Sequence, residues 1–376
     1  MLSRRELIVG LSSKLMLGCS IKDYEMRKTT EVTMPGVPMP GAKNVLDRAV
    51  SSDYLFNTSL PFIKKGEVGN YWKNGQFIND YTIGGAPIFD VLRWKLTSNP
   101  QREEKAKEQY KLPVSSSSTF LSNTNDGLVW LGHASFAIRL NNTTFVTDPC
   151  FYDLPFIERK AALPAVLGDL PSLDYLLVSH AHFDHFDTQS VKDISDRFPN
   201  VEALMPLNMD ELYINTVAKP RYQCAAWYQR YDTCNEVKVT LLPSYHWHRR
   251  GLFDFNSVLW GSFLIEAGGK KIYFAGDTAH SKHFMEIFET VGPVDICILP
   301  IGAYSPDFMM KSSHINPLEA INAAKILGAK EVIPMHFGTY DLSDEPMGEP
   351  IRWFRKEARK YGIKISPLAP GEAFWL

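Results

Sequence analysis

Short apolar runs alternate with stretches of helical spacing along the last two thirds of the chain, and most of the runs stop at a histidine or an aspartate. Residues 173–178 (Leu-Asp-Tyr-Leu-Leu-Val) read as a buried strand leading into Ser179-His180. Residues 239–243 end in Ser244-Tyr245-His246-Trp247-His248, residues 271–275 in Gly276-Asp277-Thr278, and Glu331–Met335 in His336-Phe337-Gly338-Thr339. Two more strands, 128–131 and Thr143–Thr147, are followed by His133 and Asp148. Between the strands, Asp187 is placed as the N-cap of a helix with Val191, Ile194 and Phe198 on its apolar face. Asn316, Pro317 and Glu319 spell the cap, first helical position and capping-box partner of another helix, which Gly328 ends. Strands alternating with helices predict an α/β class.

The pattern divides the chain into three. Residues 1–42 combine a leader with a Pro/Gly-rich tether (Met34-Pro-Gly-Val-Pro-Met-Pro-Gly41) too rich in breakers to pack as an element. Residues 43–125 are aromatic-rich, with Tyr71, Trp72, Phe77, Tyr81, Phe89 and Trp94, then a charged stretch at 101–107 and a serine loop at 115–118. These aromatics are expected to pack onto the next domain, a lipid- or substrate-facing lip being the other reading. Residues 126–376 form the catalytic domain. Arg4-Arg5 near the start resembles a twin-arginine export signal, and Gly18-Cys19 resembles a lipoprotein acylation site. An exported, membrane-associated lipoprotein is therefore expected; the alternative is a cytoplasmic protein with an amphipathic or disordered N-terminus.

Composition narrows the partners. At 376 residues and 45% hydrophobic content the chain suffices for one large core with an extension. A net charge of −2 and a pI near 6.6 offer no electrostatic footprint for nucleic acid. No apolar run has the length of a mature membrane-spanning helix. Five cysteines (Cys19, Cys150, Cys224, Cys234, Cys297) are too few and scattered for a disulfide framework, although Cys224 and Cys234 could pair in an exported protein.

The densest chemistry is His180-Ala-His182-Phe-Asp184-His185, three imidazoles and a carboxylate in six residues. Zn²⁺ takes imidazole nitrogen and carboxylate oxygen well, and four donors so close can begin two adjacent metal sites. The further strand-end donors His246, Asp277 and His336 bring the set to five imidazoles and two carboxylates, which leaves room for a bridging hydroxide. His248 rivals His246. His133 reads equally as a turn histidine or a site residue. His314, just ahead of a helix N-terminus, reads as a phosphate-binding or protonating group or as a packing residue. His280 and His283 are expected to be exposed.

On the words Trp130-Leu-Gly-His133-Ala-Ser, Thr147-Asp148-Pro149, the 180–185 cluster, His246-Trp247, Phe274-Ala-Gly-Asp277-Thr, Pro300-Ile-Gly-Ala-Tyr304, His314 and His336-Phe-Gly-Thr, the chain resembles the metallo-β-lactamase superfamily. Within it the likeness is to the N-acylphosphatidylethanolamine-hydrolysing phospholipase D group and its bacterial relatives. That group has Asn-Pro-Trp where this chain has Asn79-Asp80-Tyr81. The resemblance implies an αββα four-layer sandwich with an N-terminal extension and two Zn²⁺ ions. His180, His182 and His246 would hold one ion, Asp184, His185 and His336 the other, and Asp277 would bridge them. It casts Asp184, Asp277 and His314 as catalytic and Asp148 as a support for the ligand histidines. The expected reaction is hydrolysis of a phospholipid, such as an N-acylphosphatidylethanolamine, to phosphatidic acid and the alcohol. The expected partners are the phospholipid and a membrane surface but no nucleic acid, with a homodimer left open. The alternatives are a lactonase or other hydrolase of the same fold, and a non-catalytic lipid-binding lipoprotein.

Overall fold

The computed structural model describes residues 48–51, 53–78, 88–115, 120, 122, 124–164 and 170–376. The leader, the tether, Cys19, the 79–81 word and most of the serine loop lie outside them, as do Tyr81 and the side chain of Phe89.

Two mixed sheets make up most of the chain beyond residue 126. The first comprises β5 (Gly127–Gly132), β6 (Ser135–Leu140), β7 (Thr143–Thr147), β8 (Tyr175–Leu177), β9 (Glu202–Pro206), β10 (Tyr222–Ala225) and β16 (Ala373–Trp375), in the order β10-β9-β8-β7-β6-β5-β16. The second comprises β11 (Lys238–Leu242), β12 (Ser262–Ala267), β13 (Lys270–Phe274), β14 (Ile296–Pro300) and β15 (Glu331–Met335), in sequence order. Each passes from antiparallel to parallel pairing: β6-β7 and β12-β13 are antiparallel, whereas β7-β8-β9-β10 and β13-β14-β15 are parallel. Every residue of β5, β6, β7, β14 and β15 is buried. Burial on both faces is why apolar residues dominate β5, β14 and β15. Phe136 on β6 and Phe274 on β13 meet edge to face at 6.5 Å between ring centres, across the interior. The architecture is the αββα sandwich that the resemblance implies, preceded by an extension.

The helices follow their signals. Asp187 accepts the Ser190 amide at 3.0 Å and opens the helix Thr188–Arg197, which buries Val191 and Ile194. Phe198 falls just outside, as its C-cap, and is half-buried. Asn316 and Glu319 form a reciprocal capping box at Pro317–Ile326, and Gly328 takes a φ of +59° just past the end.

The extension adds a small four-stranded sheet, β1 (Arg48–Ser51), β2 (Tyr54–Asn57), β3 (Asn70–Lys73) and β4 (Gln76–Phe77), which the hydrophobic pattern does not announce because these strands are two to four residues long. Buried Gln229 joins it to the sandwich, donating to the carbonyls of Asn57 (2.6 Å) and Leu60 (2.8 Å) and accepting the Asn57 amide (2.9 Å). Phe77 and Trp94 are buried and Tyr71 and Trp72 half-buried, and the Trp94 indole donates to Asp344 at 3.0 Å. Cys150, Cys224, Cys234 and Cys297 are free thiols, so Cys224 and Cys234 do not form the pair that export would allow. No helix among the described residues is long and apolar enough to cross a membrane.

Candidate metal centre

The residues that follow the carboxyl ends of β5, β7, β8, β11, β13 and β15 meet at one edge of the sandwich, where ligand crevices form in sheets with parallel strands. Reaching it strains the backbone: His133, Asp148 and His336 hold φ values of 52°, 32° and 61°. Gly302 is needed for the close approach of the loop after β14, because a side chain there would run into the His336 carbonyl.

Among the described residues four overlapping donor groups form. His180, His182 and His246 present nitrogens within 4.8 Å of one another, as do the donor atoms of His133, Asp184, His185 and His336. Asp148 with His180 and His185, and Asp277 with His314 and His336, make two more. His182 Nδ1 lies 3.0 Å from His180 Nε2 and 3.1 Å from His246 Nε2. Asp277 stands between the first two groups, with Oδ2 3.2 Å from His185 Nε2 and 4.0 Å from His246 Nε2, and Oδ1 3.2 Å from His336 Nε2. Asp184 Oδ2 is 3.7 Å from His185 Nε2 and 3.6 Å from His336 Nε2.

The far sides of the rings are anchored. Asp148, fully buried, accepts from His185 Nδ1 (2.7 Å) and from the Ser179 amide (2.7 Å) and hydroxyl (2.6 Å). The Ser179 proton being spent there, its oxygen accepts from His180 Nδ1 at 2.9 Å. His246 Nδ1 donates to the Ser313 carbonyl at 3.0 Å. Such anchors select the tautomer and aim the other nitrogen forward. On the forward side, His185 Nε2, His336 Nε2, His314 Nδ1 and Asp277 Oδ1 are buried without a hydrogen-bond partner. Buried polar atoms rarely go unpaired, and this convergence of imidazole and carboxylate donors fits a metal cation.

The electrostatics divide the cluster. Burial drives His180 and His246 well below the ordinary imidazole range and His182 down to about 3, leaving them neutral. Burial opposes charge on His185 and His336 too, but Asp277 and Asp184 overcome it, raising the first well above its usual value and the second to about 9. Despite burial, His185 and its neighbours hold Asp184 and Asp277 well below the carboxylate range. Two anionic carboxylates facing cationic imidazoles form a centre in which bound cations can replace protons.

The structure brings together all seven ligand candidates of the sequence reading, and His314, whose Nδ1 is 3.7 Å from Asp277. Of the rivals, His246 enters the cluster. His248 turns to Asp254 at 3.6 Å, its ring 6.4 Å from that of His182. His133 belongs to the site: its Nε2 is 3.0 Å from Asp184, its amide donates to Thr339 (2.8 Å) and its carbonyl accepts the His336 amide (3.1 Å). Sequence reasoning missed Ser179 and Ser313, each directly preceding a site histidine. It also missed Tyr340, whose ring packs edge-on to His133 at 5.1 Å and which no local signal marks.

His283 corrects the expectation of exposure. It is fully buried against Phe284, with Nε2 3.2 Å from the Thr278 hydroxyl, and burial lowers its pKa to about 3. Between about pH 6.5 and 3 the unfolded chain binds a proton there that the native state does not, so acid costs stability across that window. We expect His283→Gln to reduce the slope of unfolding free energy against pH in that window by up to about 1.4 kcal/mol per pH unit, read from urea melts. An unchanged slope would refute the neutral buried state.

Residues 143–337 match the model of the Beta-lactamase superfamily domain. An N-acyl-phosphatidylethanolamine-hydrolyzing phospholipase D of Caenorhabditis elegans is 33% identical over 315 residues, 77% of this chain and 88% of the relative. The chain belongs to the metallo-β-lactamase superfamily. It is a hydrolase of that superfamily, similar to N-acylphosphatidylethanolamine-hydrolysing phospholipases D. A mitochondrial enzyme so named in Saccharomyces cerevisiae is 33% identical over 64% of this chain and 53% of its own length. Among solved structures, a metallo hydrolase of the archaeon Ignicoccus hospitalis superposes with a TM-score of 0.53 at 20% identity, over 67% of this chain and 99% of that one. A Streptomyces venezuelae protein described as a diiron β-hydroxylase does so with a TM-score of 0.50 at 19% identity, over 77% of this chain and 59% of that one. These two likenesses concern the fold alone.

Proposed function

We propose that the protein is a zinc-dependent phosphodiesterase of phospholipase D type, hydrolysing a phospholipid such as an N-acylphosphatidylethanolamine to phosphatidic acid and the alcohol. The observation that carries this reading is the likeness to the nematode phospholipase D, which spans 77% of this chain and 88% of that protein. Zinc is inferred from a donor set of imidazoles and carboxylates without thiolate. His180, His182 and His246 would hold one ion, Asp184, His185 and His336 a second, with Asp277 shared. Bound there, two ions supply an activated water and positive charge against the phosphoryl oxygens.

The protein's own groups do the rest. Asp148, Ser179 and Ser313 aim the imidazoles, and His133 holds Asp184. His314 is lowered to about 4, chiefly by burial, so it is neutral at pH 7, yet it keeps 15% of its side chain exposed. An N–H of this imidazole can donate to a phosphoryl oxygen and bind the transition state more tightly than the substrate. We expect His314→Ala to lower kcat by about 10²-fold with little change in KM. Hydrolysis in oxygen-18 water tests the reaction type: attack at phosphorus puts the label in phosphatidic acid, whereas label in a fatty acid or an opened lactone would mean carbonyl attack and end the phospholipase reading.

A further inference from the structure

Phe253 is 98% exposed and its neighbour Leu252 38%, at the tip of a turn that directly follows His246-Trp247-His248. Two adjacent apolar side chains stand exposed on a turn whose backbone is tied by its own polar side chains. The Asp254 carboxylate accepts the amides of Arg250 (3.1 Å) and Gly251 (2.7 Å). Asn256 closes the base, its side-chain oxygen accepting the His248 amide (2.9 Å) and its own amide donating to the His248 carbonyl (2.8 Å). Such preorganisation removes the ordering cost of binding in advance.

The turn is also fastened to the metal centre. Arg250 donates to the carbonyls of Ala181 (3.0 Å) and Phe186 (2.9 Å), one on each side of Asp184-His185, and lies over the Phe183 ring at 4.0 Å. Phe183 is itself 38% exposed, so apolar surface is shown both on the ligand loop and on the turn strapped to it. Beside the tip, the exposed guanidinium of Arg249 hydrogen-bonds the carbonyls of Gly251 (3.2 Å) and Leu252 (3.4 Å), and no carboxylate pairs with it among the described residues. Apolar tips beside an unpaired cation complement an anionic lipid surface, which offers acyl chains below and phosphates above.

We propose that residues 249–254 form an interfacial anchor, with Leu252 and Phe253 entering the surface of an anionic phospholipid bilayer and Arg249 meeting its phosphates, so that the mouth of the metal centre is held at the membrane. The inference rests on the phospholipase reading for its reason, but its test is separate. The probe is co-sedimentation of full-length Cys19→Ser protein, in which acylation at that residue is removed, with vesicles of phosphatidylcholine with or without phosphatidylglycerol. We expect the Leu252→Ser/Phe253→Ser variant to bind mixed vesicles at least about tenfold more weakly. Phe253→Trp should keep binding, Arg249→Glu should weaken it only on the anionic vesicles, and hydrolysis of a soluble phosphodiester should be unchanged in all three. Equal vesicle binding by the double variant overturns the anchor, and so does equal binding accompanied by a change from dimer to monomer, which would assign the tip to a second copy. If no protein cleaves phospholipid but binding still falls with the tip, the anchor stands and the phospholipase reading fails.

Discussion

Replacing Asp277 by alanine is expected to cut hydrolysis by about 10³–10⁴-fold and to lower bound metal from about two ions per chain. Asp277 is 2% exposed and stands within 4.0 Å of nitrogens from His185, His246, His314 and His336, so it lies near members of both proposed ligand groups. Removing it takes from His185 and His336 one of the two carboxylates, Asp277 and Asp184, that hold their charge. Asp277→Asn, which keeps the shape and loses the charge, should fall nearly as far and so separates electrostatics from packing. Elemental analysis and turnover on the same preparation check the expectation, with circular dichroism to show that the sheets persist. Full activity in either variant would refute the shared-carboxylate assignment, and a wild-type protein without transition metal would refute the metal centre.

Asp148→Ala should be the most destabilising single change near the site. It leaves the Ser179 amide and His185 Nδ1 without their acceptor in a fully buried place, an error that costs about 3–5 kcal/mol when a buried charged pair is broken. For a domain of this size that is a fall in Tm of roughly 5–10 °C. Metal affinity should drop about 10–100-fold, since His185 loses the partner that fixes its tautomer and His180 loses its relay through Ser179. Calorimetry and metal titration read the two effects separately. A variant that melts like the wild type but binds metal weakly would limit Asp148 to positioning His185, and one unchanged in both would remove it from the centre.

Much of this was legible in the linear chain for a definite reason. Strands covered on both faces are mostly apolar, so β5 and the last four residues of β15 stand out as runs, and the polar residues that follow them stand out by contrast. Helix caps are local chemistry, and both Asp187 and Asn316 hydrogen-bond as their spacing predicts. Elements without such contrast stayed hidden. The strands of the small N-terminal sheet are too short to show a period, and the helix Arg102–Lys107 buries none of its residues, so its charges gave no apolar face to detect.

The sequence by itself determined which donor types exist and that they sit at strand ends, because strand length and capping depend on neighbours a few residues away. Only the tertiary structure decided how the donors group: that His246 rather than His248 meets His182, that His133 reaches Asp184, that His283 is buried, and that Asp277 stands between the groups. The contacts that join His133 to Thr339 and His246 to His182 cross 206 and 64 residues of chain. They are set by strand register and by the packing of one sheet on the other, and no local pattern of residues encodes the distance between two loops that meet only when the sandwich closes.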